Sequence, residues 1–167
     1  VLGDLLENGT LPLRVTHNDT KSNNVLIDET TKKGLCVIDL DTVMPGLAVN
    51  DFGDSIRFGA STGAEDEKDL SKISCDLGLF DVYTKGFVEG CEGILTKEEI
   101  ACLPLGAKVM TYECGMRFLT DYLSGDVYFK TDYPAHNLDR ARTQFKLVAD
   151  MEEKWEEMQR IIQKYIL

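Results

Sequence analysis

The chain has 167 residues, with 29 acidic against 18 basic side chains and a formal net charge of −11. This length suits one domain with a sizeable core. The charge argues against nucleic acid and anionic membrane surfaces as partners, and no apolar run approaches the ~20 residues of a membrane span.

The first motif in chain order is His17-Asn18-Asp19-Thr20-Lys21-Ser22-Asn23-Asn24-Val25-Leu26-Ile27-Asp28. Its His, Asp and Asn follow the H-x-D-x-x-x-x-N order of a phosphoryl-transfer catalytic loop. Such chemistry asks a protein for positioning and for neutralised charge rather than covalent help. Asp19 is the candidate to accept a hydroxyl proton. A strand over 24–27, a polar turn over 28–34 and a second strand over 35–40 read as a β-hairpin. That hairpin returns Asp39 beside Asn24, giving two hard oxygen ligands of the kind Mg²⁺ takes together with phosphate oxygens. Asp41 is a lesser candidate for the same metal. His17 reads as a residue that shapes the loop.

Asp51-Phe52-Gly53 spells the metal-binding triplet of protein kinases. It stands 51 − 19 = 32 residues past Asp19 and no hairpin returns it, whereas Asp39 stands 39 − 19 = 20 past, at a strand end. The segment 50–60 reads as a helix with Asn50 as N-cap, which leaves Asp51 as a carboxylate bracing the catalytic loop.

The second half reads as helices. Leu77, Phe80, Tyr83 and Phe87 recur at helical spacing over 77–91, and Thr96 to Glu99 is a capping box. A helix over 105–123 carries Leu105, Val109, Tyr112, Met116, Leu119 and Leu123 on one stripe. A last helix over 136–165 has Glu152, Glu153, Glu156 and Glu157 on a solvated face. The five cysteines are odd in number and lack a C-x-x-C pair, which reads as reduced thiols in a cytoplasmic protein. The two histidines lack zinc spacing. Residues 102–106 lack the arginine that a sulfatase signature requires.

The stretches from Thr16 to Leu26, Val37 to Gly46, Glu113 to Leu123 and Asn137 to Arg140 resemble the aminoglycoside phosphotransferase and choline kinase-like superfamily. Within it they are most similar to the N-acetylhexosamine 1-kinase branch. Asn18 departs from the wider superfamily, where Gly is usual, and Thr20-Lys21-Ser22-Asn23 replaces a commoner His-Pro-Gly type of sequence.

The resemblance implies an α+β, mainly helical fold, a protein-kinase-like C-terminal lobe with a short hairpin carrying Asp19, Asn24 and Asp39. All of 1–167 would be that one domain. The Gly-rich, ATP-covering N-lobe of the same polypeptide would be its partner, and without it the chain should not close over ATP. The implied reaction is ATP- and Mg²⁺-dependent phosphorylation of the anomeric hydroxyl of an N-acetylhexosamine. Arg117, Tyr128 and Asn18 would bind the sugar, with Asp54 a weaker candidate and Lys21 balancing charge near the phosphate. The residues alone leave other readings open: Arg117 as a surface i,i+4 partner of Glu113, and Tyr128 as a core tyrosine. Rival functions are kinases for aminoglycosides, choline or homoserine, and a non-catalytic module on the same fold.

Overall fold

The computed structural model describes residues 1–166. They are mainly helical with two small antiparallel sheets. The order is α1 (Leu2–Glu7), β1 (Arg14–Thr16), β2 (Val25–Ile27), β3 (Gly34–Val37), β4 (Met44–Gly46), α2 (Ala48–Gly59), α3 (Leu77–Gly90), α4 (Lys97–Ala101), α5 (Leu103–Leu123), α6 (His136–Glu153) and α7 (Trp155–Gln163). β1 pairs with β4, and β2 with β3 in the expected hairpin. Asp28 closes the hairpin turn by accepting from the N–H groups of Thr30 and Thr31. That Asx-type turn is what the polar run between two β-branched segments supplies.

The core lies among the helices. Val49, Phe52 and Ile56 of α2 recur at helical spacing and meet Phe80, Leu103, Leu147, Met151, Met158 and Ile162. α5 is the central element, packed on α2 at one side and on α6 at the other. Glycines let the backbones approach closely. A Cβ on Gly53 would fall on the Gly106 carbonyl, and one on Gly106 on the Val49 carbonyl. Gly115 likewise admits Phe145 and Gln144 of α6.

This packing corrects the expected stripe on α5. Along its middle it buries the small residues Gly106, Ala107, Thr111 and Gly115, because close approach favours small side chains, with Leu103 and Phe118 buried towards its two ends. The bulky set Val109, Tyr112, Met116 and Leu123 is exposed, Leu123 at 74 %. Other boundaries also move. β3 ends at Val37 rather than at 40, which leaves Asp39 beyond the strand, and α5 begins at Leu103 rather than Leu105. α2 starts at Ala48 rather than Asn50, whose N–H already bonds to the Leu47 carbonyl. The expected helix over 136–165 breaks at Lys154, which leaves helical geometry at φ −97° and ψ 12°. Its ammonium there bonds to Asp150 at 2.7 Å, Ser74 Oγ at 2.5 Å and the Cys75 carbonyl at 2.9 Å. The two tertiary bonds, to Ser74 and Cys75, outweigh one residue of helix continuity.

One ion pair ties the first sheet to the helices. Arg14 forks onto Glu99, Nε to Oε1 at 3.0 Å and Nη2 to Oε2 at 2.7 Å, while Glu99 also completes the capping box of α4 with Thr96. Burial pushes the Glu99 carboxyl up, but bonds from Arg14 and Thr96 outweigh it and hold it below its usual range. The stability it contributes is therefore present above the ordinary glutamate range and lost as pH falls through the lower folded value. Arg14→Ala would leave a buried, unpaired carboxylate and should cost about 3 kcal/mol, read from the urea midpoint at neutral pH. An unshifted midpoint would mean that Glu99 finds another partner.

Candidate functional site

The loop after β1 is held by a carboxylate from α2. Asp51 Oδ2 accepts from the His17 N–H and Oδ1 from the Asn18 N–H, both at 2.8 Å. The Asp51 carbonyl accepts from Thr20 Oγ1 and from Ser55 Oγ. Both carboxylate oxygens are thus spent on backbone. Phe52 lies in the core, and Gly53 is where α5 approaches. The D-F-G triplet serves the fold and the loop together.

Asn18 stands at φ 63°, in the left-handed region that Gly enters freely and Asn tolerates better than most residues. That is the physical content of an Asn where the resembled superfamily has Gly. Its side-chain oxygen accepts from Thr16 Oγ1 at 3.0 Å and its nitrogen donates to the Thr42 carbonyl at 3.0 Å. The Asn18 amide, expected on the sugar, is instead committed to joining the loop to the segment after β3. His17 Nδ1 accepts from the Asp19 N–H at 3.2 Å, so Nε2 carries the proton it offers the Ile38 carbonyl at 3.0 Å. It too is a brace.

Asp19 stands beyond these braces. Its Oδ2 accepts from Lys21 Nζ and from Asn24 Nδ2, each at 2.8 Å. Partial burial pushes its carboxyl up, but those two bonds and the Lys21 charge outweigh it and hold it below the usual carboxylate range. Asp19 is therefore an ionised acceptor with one oxygen, Oδ1, turned away from these donors. Asn24 closes a 3₁₀ turn (Ser22–Asn24), is 5 % exposed and gives both N–H bonds to Asp19, leaving its own Oδ1 without a donor among the described residues.

Asp39 lies past β3 at φ 65° and is exposed. A hydrogen bond with Asp41 and the charge of Asp41 push its carboxyl up, and the charge of Asp19 adds to the rise. Asp39 and Asp41 therefore adjoin, and the Ile38 N–H bonded to the Asn24 carbonyl ties their segment to the turn that bears the Asn24 oxygen. Crowded carboxylates with an amide oxygen are a hard-oxygen donor set that fits Mg²⁺. Among the described residues no group of three or more His, Cys, Asp or Glu side chains is arranged to hold a metal ion by itself. Such an open set suits a cation shared with phosphate oxygens.

A cleft of about 550 Å³ runs from this loop to α5 and α6 and is lined by Asp19, Lys21, Arg57, Arg117, Tyr128 and Arg140 among others. It brings Asp19, Asn18, Arg117 and Tyr128 to one cavity. Arg117 makes no ion pair with Glu113 among the described residues; its guanidinium lies over Tyr128 at 5.8 Å and Phe129 at 5.4 Å. Tyr128 is 74 % exposed, so it is not a core tyrosine.

Three contributors are absent from the sequence-based set. Asp121 is one: its carboxylate accepts from the N–H groups of Val127, Tyr128 and Phe129 and from Asn137 Nδ2. It fixes the loop that presents Tyr128. The others are Arg57 and Arg140. Arg57 is buried, bonded to Asp54 at 2.8 Å and to Glu65 at 2.8 Å. Arg140 bonds to the Lys130 carbonyl at 3.0 Å. Asp54, a weaker sugar candidate by sequence, is spent on Arg57 through Oδ1 and does not line the cleft. The i,i+3 spacing of Asp54 and Arg57 was the one available signal for that pair.

Residues 1–78 match the phosphotransferase enzyme family, APH. The match supports a phosphotransferase of the kinase type, and it takes in Asp19, Asn24, Asp39 and Asp51. Arg117, Tyr128 and Asp121 lie outside the matched residues. No helix among the described residues is long and apolar enough to cross a membrane.

Proposed function

We propose that this chain carries the catalytic and acceptor-binding lobe of an ATP- and Mg²⁺-dependent phosphotransferase whose acceptor is an uncharged sugar, the anomeric hydroxyl of an N-acetylhexosamine. The observation that carries this is the single cleft in which an ionised, doubly braced Asp19 faces Arg117 and Tyr128. Asp19 orients the attacking hydroxyl and takes its proton as the oxygen–phosphorus bond forms. Lys21 keeps the carboxylate in place and offsets phosphate charge. Mg²⁺, held by the Asn24 oxygen and Asp39 with Asp41 in support, would neutralise the phosphate oxygens. The Arg117 fork donates to sugar oxygens and the Tyr128 ring offers a stacking face.

Charge within the cleft favours this acceptor over choline or an aminoglycoside. Glu65 is taken by Arg57, and Asp19 by Lys21. Among the described residues Arg117 and Lys130 line the cleft without an ion-pair partner, so its uncompensated charge is positive despite a chain at −11. A cationic acceptor would meet repulsion there. The catalytic set argues against a non-catalytic module, since scaffolding alone gives no reason to crowd like charges at Asp39 and Asp41.

The hairpin is exposed on both strands, with Leu26, Ile27, Leu35 and Val37 each well in solvent. An apolar surface of this kind beside the phosphate site is where an ATP-covering lobe would seat.

The test is ADP release by the intact enzyme with a panel of acceptors. N-acetylglucosamine or N-acetylgalactosamine should give the highest kcat/KM, and a preference for choline or an aminoglycoside would overturn the reading. Arg117→Ala should raise the sugar KM by about 10- to 100-fold, as expected for a charged hydrogen-bond donor, with little change in kcat. A fall in kcat at unaltered KM would take Arg117 off the sugar.

A further inference from the structure

Behind the cleft lies a second, smaller cavity of about 150 Å³, lined by Arg57, Ser61, Glu65 and Gln144 among others. Arg57, Phe58 and Glu65 line both spaces, so the two adjoin. The volume is about five times the ~30 Å³ a water molecule occupies in the liquid, enough for a small polar substituent.

Gln144 points to what that substituent is. It is 3 % exposed, yet its Oε1 has no hydrogen-bond partner among the described residues. A buried amide oxygen without a donor is costly, and folded proteins rarely keep one without a use. Ser61 does not supply the donor, since its hydroxyl bonds to the Gly63 carbonyl at 3.1 Å. Arg57 does not either, since its guanidinium is turned to Asp54 and Glu65. Thr143, beside Gln144, is bonded to the Glu65 carbonyl, which ties α6 to the loop after α2.

We infer that this cavity is a specificity subsite for the acceptor, in which Gln144 Oε1 accepts from the amide N–H of an acetamido group. The Arg57–Glu65 pair lies at the boundary the two spaces share. The inference rests on the proposed sugar-kinase reading but concerns a different residue from those that carry it. A hexose with a hydroxyl in place of the acetamido group would leave most of the space to water and lose apolar contact with Phe58. Specificity would then arise from a built acceptor atom that only a donor-bearing substrate satisfies.

The experiment uses the intact enzyme and the variants Gln144→Leu and Gln144→Met, which keep volume and remove the acceptor. Removing an unpaired buried polar atom should leave the melting temperature unchanged or raise it. The KM for N-acetylglucosamine should rise at least 10-fold in both variants, with kcat within twofold. The ratio of kcat/KM for N-acetylglucosamine over glucose should fall by a similar factor. Should the unmodified enzyme prefer another acceptor, the sugar reading fails by itself, and the KM of the variants for that preferred acceptor still tests the subsite. A folded variant whose KM and acceptor ratio both equal those of the unmodified enzyme would show that the cavity holds water only, and would overturn the inference.

Discussion

Asp19→Asn in the intact enzyme should lower kcat by about 10³-fold while leaving the sugar KM within about twofold. The change keeps size and removes the one group that can take the hydroxyl proton. It also puts an amide against two donors, Lys21 Nζ and Asn24 Nδ2, which can face only its oxygen. The amide nitrogen then points at the incoming hydroxyl and cannot accept from it. Steady-state kinetics over a range of sugar concentrations separate the two parameters. A kcat within a few-fold of the unmodified enzyme would remove Asp19 from proton transfer. The pH dependence carries the same assignment. Bonds from Lys21 and Asn24 hold the Asp19 carboxyl below the ordinary aspartate value of about 3.9 despite its partial burial. Activity that needs the carboxylate is therefore fully present above that value and lost only as pH falls through the lower one. An acid limb centred near pH 6 would belong to another group.

The second large effect is expected at Asp51, a residue that need never touch substrate. Asp51→Ala strips acceptors from the His17 and Asn18 N–H groups at once. Each unsatisfied donor costs roughly 1–3 kcal/mol, so stability should fall by about 3 kcal/mol. The loop also loses what sets its path, and Asn18 stands in a left-handed conformation that only its neighbours maintain. We expect kcat to fall about 100-fold in the fraction that remains folded, because small misplacements of a reacting group are costly. Thermal melts and kinetics below the melting transition check the two parts separately. Lowered stability with unchanged kcat would make Asp51 a support of the fold alone.

Much of the phosphate side was legible in the sequence because it is local. The hairpin is written in two β-branched runs and a polar turn, and the capping box of α4 in Thr96 and Glu99. Bounds were less legible where tertiary bonds compete with local signals. Asn50 and Asp51 carry the signature of a helix start, but Asp51 faces the catalytic loop and α2 begins at Ala48. The break at Lys154 depends on Ser74 and Cys75, about 80 residues away in the chain. The apolar stripe of α5 misled for a related reason. Periodicity counts large side chains, whereas this helix buries glycine and alanine against two neighbours. The acceptor side was the least legible. Arg57, Arg140 and Gln144 converge only after α2, α6 and the loop between α2 and α3 have assembled.

The two loops that flank the cleft have one design in common. Each hangs from a single helical carboxylate, Asp51 of α2 below the loop of Asp19 and Asp121 of α5 below Tyr128. Those helices in turn touch backbone to backbone through Gly53 and Gly106. The gap between Asp19 and Tyr128 is thereby gauged like the jaws of a caliper whose beam is the helix pair. Sequence drift in either loop should leave the gauge intact, whereas one methyl group added at residue 106 would open both jaws together.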